Sequence, residues 1–206
     1  MKFLCSKSMK IHEKNSKIFL RKRIREIRGS LKEPEIFSKS LSIESLFFRL
    51  SELESLKNLL IYMASLPEVQ TRGIIEKCLK KNVSIYLPLV DLSHGKIFFS
   101  RVSDFDNGLE KGPFGIFQPK FYKQNLLGDT TDIDLIVVPG MAFDEKGGRL
   151  GNGKGFYDKF LATVPPHITI IALAFELQIV DEIILFNHDI PVHKIITEKR
   201  IISCAR

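Results

Sequence analysis

The spacing of apolar and polar positions along the chain predicts helices alternating with short strands. From about Ser16, the apolar residues Leu20, Ile24, Ile27 and Leu31 recur at steps of four, three and four, the period of one helix face. Lys17, Arg21, Arg25 and Arg28 stack on an adjoining face at similar spacing. A second helix is expected from roughly Pro34 to Leu56, carried by Ile43, Leu46, Phe47, Leu50 and Leu53. Asn58 to Ala64 then forms a short apolar run, as expected of a buried strand. Pro67 to Lys81 returns to a helical pattern, and Ser84 to Leu87 is a strand that Pro88 stops. Lys96 to Arg101 is a further strand. Leu135 to Val138 is the clearest buried one, ended by Pro139 and Gly140. A helix over Gly153 to Ala162 follows a glycine-rich turn, and His167 to Ala174 and Lys194 to Thr197 supply two more strands.

Strands alternating with helices predict an α/β fold of three layers, a mostly parallel central sheet flanked by helices with Rossmann-like topology. In such sheets ligands bind beyond the carboxyl ends of the strands. The length of 206 residues suits one domain spanning 1–206, with residues 1–15 expected to be a poorly ordered N-terminal extension.

Composition narrows the class. No apolar run approaches the roughly 20 residues of a membrane-spanning helix, and Met1 to Asn15 does not read as a secretory signal. Cys5, Cys78 and Cys204 are far apart and odd in number, which suits reduced thiols in a cytoplasmic protein. A monomer is expected. The net charge of +7 is unevenly placed: residues 1–33 carry 11 Lys/Arg against 3 Asp/Glu, and the other 173 residues are nearly balanced. A basic helix attached to a neutral body suits phosphate contact of some kind, polymeric or small. A nucleic-acid module led by that helix is the weaker reading, because such a module spreads basic and stacking residues over its whole surface.

The chemistry is concentrated between Asp134 and Phe160. A buried strand leads into Gly147-Gly148-Arg149-Leu150-Gly151-Asn152-Gly153-Lys154-Gly155 and then a helix. Five glycines in nine residues free the backbone to approach a ligand, and N–H groups ahead of a helix N-terminus make an anion cradle. Arg149 and Lys154 add formal charge. Gly148 to Lys154 fits the spacing of a phosphate-binding P-loop, but Gly155 stands where a hydroxyl would ligate Mg²⁺, and Asp158 is the candidate replacement. The competing reading is a solvated surface loop.

The run PGMAFDEKGGRLGNGKGFYDKFL resembles the signature of the 5-formyltetrahydrofolate cyclo-ligase family, and the similarity extends from about Lys17 to Glu198. The resemblance implies conversion of 5-formyltetrahydrofolate and ATP to 5,10-methenyltetrahydrofolate, ADP and phosphate through an iminium phosphate. It implies that Lys17, Arg21 and the run Arg149, Leu150, Gly151, Asn152, Gly153, Lys154, Gly155, Phe156 and Tyr157 bind ATP. Lys17, Arg149 and Lys154 would stabilise charge during catalysis. Met63, Glu68, Phe114, Gly115, Ile116, Gln118 and Tyr157 would contact the folate, and Asp158 and Asp189 would hold Mg²⁺. The folate tail carries carboxylates, which the basic helix, through Arg25 and Arg28, is expected to attract. Gln118 replaces a usual Glu, Phe156 a Tyr, Ile184 and Phe186 a Pro and a Glu, and His193 an Asp. These departures leave room for a folate- and nucleotide-binding relative with altered catalysis.

Overall fold

The computed structural model describes residues 2–102, 104–105 and 107–204, with side chains from Ser16 onward except that of Phe114. Expectations about residues 1–15 beyond their backbone lie outside the described side chains. The chain begins with helices α1 (Lys2–Gly29) and α2 (Glu33–Phe47), then strand β1 (Asn58–Ile61), α3 (Arg72–Lys80), β2 (Ser84–Asp91) and β3 (Lys96–Val102). A small hairpin, β4 (Leu109–Lys111) and β5 (Phe117–Pro119), precedes β6 (Leu135–Val138), β7 (Ala142–Asp144), β8 (Arg149–Leu150) and the short helix α4 (Phe156–Leu161). The chain closes with β9 (Thr169–Leu173), β10 (Ile179–Val180), β11 (Lys194–Ile196) and β12 (Ile201–Ser203).

Seven strands form the central sheet in the order β12-β11-β9-β6-β1-β2-β3, with β11, β9, β6, β1 and β2 parallel and the two edges antiparallel. Alternate residues of its middle strands feed two cores. Leu59, Ile61, Leu135, Val137, Ile171 and Leu173 pack under α2 and α3 with Ile43, Phe47, Ile74 and Ile75. Leu60, Ile136, Val138, Ile170 and Ala172 face the other way, toward α4 through Leu161. This is the three-layer α/β architecture that the sequence pattern predicts. From β1 the chain moves through α3 to β2 on one flank, whereas β6 lies on the other flank of β1. The strand order therefore reverses between β1 and β6, and a crevice opens at their carboxyl ends.

Several boundaries differ from expectation, each for a local reason. The second helix stops at Phe47 because Leu50 and Leu53 close three-residue turns on Phe47 and Leu50, pulling Leu50 into the core. The third begins at Arg72 rather than Pro67. The intervening groups are committed elsewhere: Gln70 N donates to Ser40 Oγ, and Thr71 Oγ1 donates to Tyr62 O and accepts from Ala64 N. Those same bonds end β1 at Ile61. Pro88 does not stop β2, which continues to Asp91 against β3. Pairing with β1 ends at Tyr86, so a residue without an N–H is tolerated two positions later.

α1 begins at Lys2, earlier than expected, and its inward face differs from the apolar stripe. Lys17, Ile24 and Arg28 are buried while Ile27, Ile18 and Phe19 are exposed. The helix docks through Ile24 and Leu20 on a second small sheet, β10-β7-β8, against Met141, Ala142 and Leu150. That docking turns part of its basic stripe inward. No helix among the described residues is long and apolar enough to cross a membrane.

Candidate active site

The crevice at the carboxyl ends of β1 and β6 is a cavity of about 530 Å³, within the usual range for a small-molecule site. Five cationic side chains (Lys17, Arg21, Arg28, Arg149 and Lys154) line it against three carboxylates (Glu68, Asp158 and Asp189), so its wall is net positive.

α1 delivers three of those cations. Lys17 Nζ donates to Asp189 Oδ2 at 2.5 Å and sits 4.0 Å over the Phe186 ring. Asp189 Oδ2 also accepts from Phe186 N at 2.8 Å. Arg21 Nε donates to Gly151 O at 2.8 Å, fastening the helix to the glycine loop. Arg28, two turns later, reaches Gly140 O at 3.5 Å, just beyond β6. It is buried, whereas Arg25 is exposed.

The glycine-rich run divides into two parts with different work. Gly147 and Gly148 turn the β7–β8 hairpin around the buried Asp144, whose carboxylate accepts from Lys146 N, Gly148 N and Ile183 N. Gly147 has φ +92°, and a Cβ there would lie 2.4 Å from Val192 O, so no other residue fits without movement. These two glycines are structural, and β8 interrupts the run, so the P-loop spacing is a coincidence. Arg149 on β8 is buried, donating to Asp158 Oδ1 at 2.5 Å and to Pro139 O at 3.4 Å. The segment from Gly151 to Gly155 is the part that lines the cavity. Gly153, at φ +98°, lies beside the Arg21 guanidinium, and exposed Lys154 stands at the rim. α4 is only six residues long and starts from Gly155 in a left-handed conformation. The expected ten-residue helix with a strong dipole is therefore replaced by one and a half turns, and side-chain cations carry most of the positive potential.

The opposite chemistry comes from the β1–α3 connection and the β4–β5 hairpin. Tyr62, Met63, Ser65, Leu66 and Glu68 line the cavity after β1. Glu68 Oε2 accepts from Ser65 N and Ser65 Oγ at 3.1 and 3.3 Å, which fixes the carboxylate. Tyr62 Oη donates to Val69 O at 3.0 Å. Pro113, Ile116, Phe117 and Gln118 add an apolar and amide wall. Tyr157 lies between the two sets, with its hydroxyl buried and without a partner among the described residues. Burial pushes the phenol well above its ordinary pKa, Glu68 adds to the shift and Arg149 opposes it.

Lys17, Arg21, Met63, Glu68, Ile116, Gln118, the run 149–158 and Asp189 all line one cavity. Gly115 is exposed beside it, and the side chain of Phe114 lies outside the described residues. Asp158 and Asp189 face cations of the protein itself, Arg149 and Lys17. His193 Nδ1 accepts from Ile170 N at 2.8 Å at the start of β9. Sequence reasoning missed Arg28, Tyr62, Pro88, Val90 and Ile97 as wall residues. For Pro88 and Val90 the signal was the alternation of β2, obscured by ending the strand too early.

A model of the 5-formyltetrahydrofolate cyclo-ligase family matches residues 13–198. The 5-formyltetrahydrofolate cyclo-ligase of Haemophilus influenzae is 30% identical over 180 residues, spanning 86% of this chain and 95% of its own length. That of Mus musculus is 28% identical over 187 residues, spanning 87% and 92%. The solved structure of a 5,10-methenyltetrahydrofolate synthetase from Aquifex aeolicus matches with a TM-score of 0.79 at 31% identity, covering 92% of this chain and 93% of that one.

Proposed function

The chain belongs to the 5-formyltetrahydrofolate cyclo-ligase family and is an enzyme of it; from that premise we propose that it spends one ATP to close 5-formyltetrahydrofolate into 5,10-methenyltetrahydrofolate, releasing ADP and phosphate. The observation that carries this reading is the single cavity in which a cationic set from α1 and the glycine loop meets a carboxylate, two tyrosines and an apolar wall. Polyphosphate suits the first group and a fused-ring substrate with polar edges suits the second.

Closing the ring requires expulsion of an amide-like formyl oxygen, which is a poor leaving group. Transfer of the γ-phosphoryl group breaks its bond to ADP and forms one to the formyl oxygen, giving an iminium phosphate. N10 then attacks the formyl carbon, phosphate departs with the oxygen, and N10 loses its proton. Such transfer depends on positioning and charge stabilisation rather than on a protein nucleophile. Lys17, Arg21 and Lys154 are placed to hold phosphates with the backbone of Gly151 to Gly155. Arg149, fixed by Asp158, supplies charge near the transferred group. Glu68, locked by Ser65, is placed to accept from ring N–H groups of the pterin.

Asp158 and Asp189 each commit one oxygen to a cation, and among the described residues no three His, Cys, Asp or Glu side chains cluster. That donor set fits Mg²⁺ arriving with the nucleotide, held by one or two carboxylates and phosphate oxygens. When bound, Mg²⁺ draws charge from the β- and γ-phosphates. The reading places a monomeric enzyme in the cytoplasm, in keeping with the free thiols Cys78 and Cys204. Cations turned into a cavity, rather than laid along a surface, favour a small nucleotide over a nucleic acid.

The test is the appearance of methenyltetrahydrofolate absorbance from 5-formyltetrahydrofolate, Mg²⁺ and ATP. Product that requires ATP and is lost in Lys154→Ala supports the reading. Absence of product with ATP bound points to a binding relative with altered catalysis.

A further inference from the structure

Two arginines reach the bend after β6. Arg149 Nη1 contacts Pro139 O and Arg28 Nη1 contacts Gly140 O, so the two cations sit on successive carbonyls at the switch point of the sheet. Both are more than nine-tenths buried, at 4% and 8% exposed, and both have an Nε without a partner among the described residues. They differ in one respect. Arg149 is neutralised by Asp158, whereas Arg28 forms no ion pair among the described residues. The charged and titratable groups that act on Arg28 are Glu68, Tyr62 and Arg25. Of these Glu68 already commits Oε2 to Ser65.

A role in fixing the bend does not explain Arg28. Gln178 Nε2 already donates to Gly140 O and Met141 O, both at 3.0 Å. The 3.5 Å contact from Arg28 is longer than either and adds little. A buried cation with no carboxylate in ion-pair contact and no full set of acceptors is costly to keep. Such a group is retained where a ligand supplies the missing negative charge. Burial pushes the Arg28 pKa down, Glu68 and Tyr62 oppose that and Arg25 reinforces it, yet guanidinium remains protonated at any working pH.

Resting on the phosphoryl-transfer reading above, we propose that Arg28 is a second catalytic guanidinium, donating to an oxygen of the phosphoryl group as it passes from ATP to the formyl oxygen. Its position suits the task. It lines the same cavity as Glu68 and Arg149, and the Glu68 charge acts on it. The transferred group spreads its charge over three oxygens in the transition state, and a second planar fork in the cavity adds donors to those of Arg149. No proton moves through Arg28.

The test compares wild type with Arg28→Met and Arg28→Lys in steady-state kinetics, with thermal unfolding and ATP binding measured on each. Loss of one preorganised donor to developing charge lowers kcat about 100-fold. If the bond forms chiefly in the transition state, KM for ATP and folate changes by no more than roughly threefold. Arg28→Lys restores about tenfold of that loss, because a point charge replaces a fork. A folded Arg28→Met with wild-type kcat overturns the proposal, as does one that changes only KM. If Arg28→Met does not fold, Arg28→Lys decides: a native melting temperature with lowered kcat supports the proposal, and full kcat assigns Arg28 to the scaffold. Failure of the underlying reading is separate, because it shows as no ATP-dependent product from wild type.

Discussion

Lys17 and Asp189, 172 positions apart, form an ion pair at 2.5 Å with side chains only 9% and 12% exposed. The pair ties α1 to the segment before β11, and the Phe186 ring lies 4.0 Å beneath the ammonium. It closes one side of the cavity with chain drawn from both ends of the sequence.

Lys17→Met removes this cation while keeping the length of the side chain. It leaves Asp189 buried without its partner and takes one positive group from the phosphate wall. Truncating one partner of a buried charge pair in a binding site typically costs 2–5 kcal/mol, so ATP affinity is expected to fall about 100-fold. Isothermal titration with ATP checks this, and unchanged affinity would place Lys17 outside the nucleotide site.

The same pair sets an acid limit. Burial by itself raises the Asp189 pKa, but the Lys17 hydrogen bond, the Phe186 N–H and the charges of Lys17 and His188 together bring it below the usual carboxylate range. A depressed carboxyl stabilises the fold fully above its unfolded pKa of about 3.9 and loses that contribution as pH falls through the lower folded value. The difference in unfolding free energy between wild type and Asp189→Asn is therefore flat from pH 8 to about 5 and shrinks below about pH 4. Urea titrations across that range measure it.

Asp158→Asn strands Arg149, whose side chain is 2% exposed. Breaking a buried pair on one side typically costs about 3–5 kcal/mol. We expect a loss near about 3 kcal/mol, since Asp158 itself is partly solvated at 18% exposure. The urea midpoint reads this directly. Stability within about 0.5 kcal/mol of wild type would mean that the pair is not formed in solution.

Tyr157→Phe separates stability from binding. The Tyr157 hydroxyl is buried and unpartnered among the described residues. Deleting it leaves the ligand-free protein as stable as wild type, or more so by about 1 kcal/mol. The raised phenol pKa keeps the hydroxyl a donor throughout the working range. If it meets the substrate, folate affinity falls roughly tenfold in the same variant. Parallel melting and folate titration distinguish the two effects.

Gly147→Ala tests the structural half of the glycine run. The positive φ and the approach to Val192 O predict destabilisation of about 2 kcal/mol or more. At equal folded fraction, kcat is expected to be near wild type, because Gly147 is not among the residues lining the cavity.

The local pattern was enough to recover the layers of this protein. Runs such as Leu135 to Val138 are apolar on both faces because the strand is covered on both, and that requirement is written into consecutive residues. The signature from Pro139 to Leu161 likewise contains the longest contiguous stretch of the cavity wall, Arg149 to Asp158. Long-range docking was not legible. By periodicity the first helix expected from the sequence turns Leu20, Ile24, Ile27 and Leu31 inward, yet the fold ends α1 at Gly29, exposes Ile27 and buries Lys17 and Arg28. Helical spacing fixes which residues share a face but not which face meets the rest of the protein. That choice was made by the β10-β7-β8 sheet and by Gly151, Gly140 and Asp189, whose groups receive Arg21, Arg28 and Lys17. Sequence by itself determined the α/β layers and the chemistry of one loop, since both depend on near neighbours. Tertiary structure alone decided that the basic helix points its charge into the cavity, because the energy of burying a cation depends on partners more than 100 residues away.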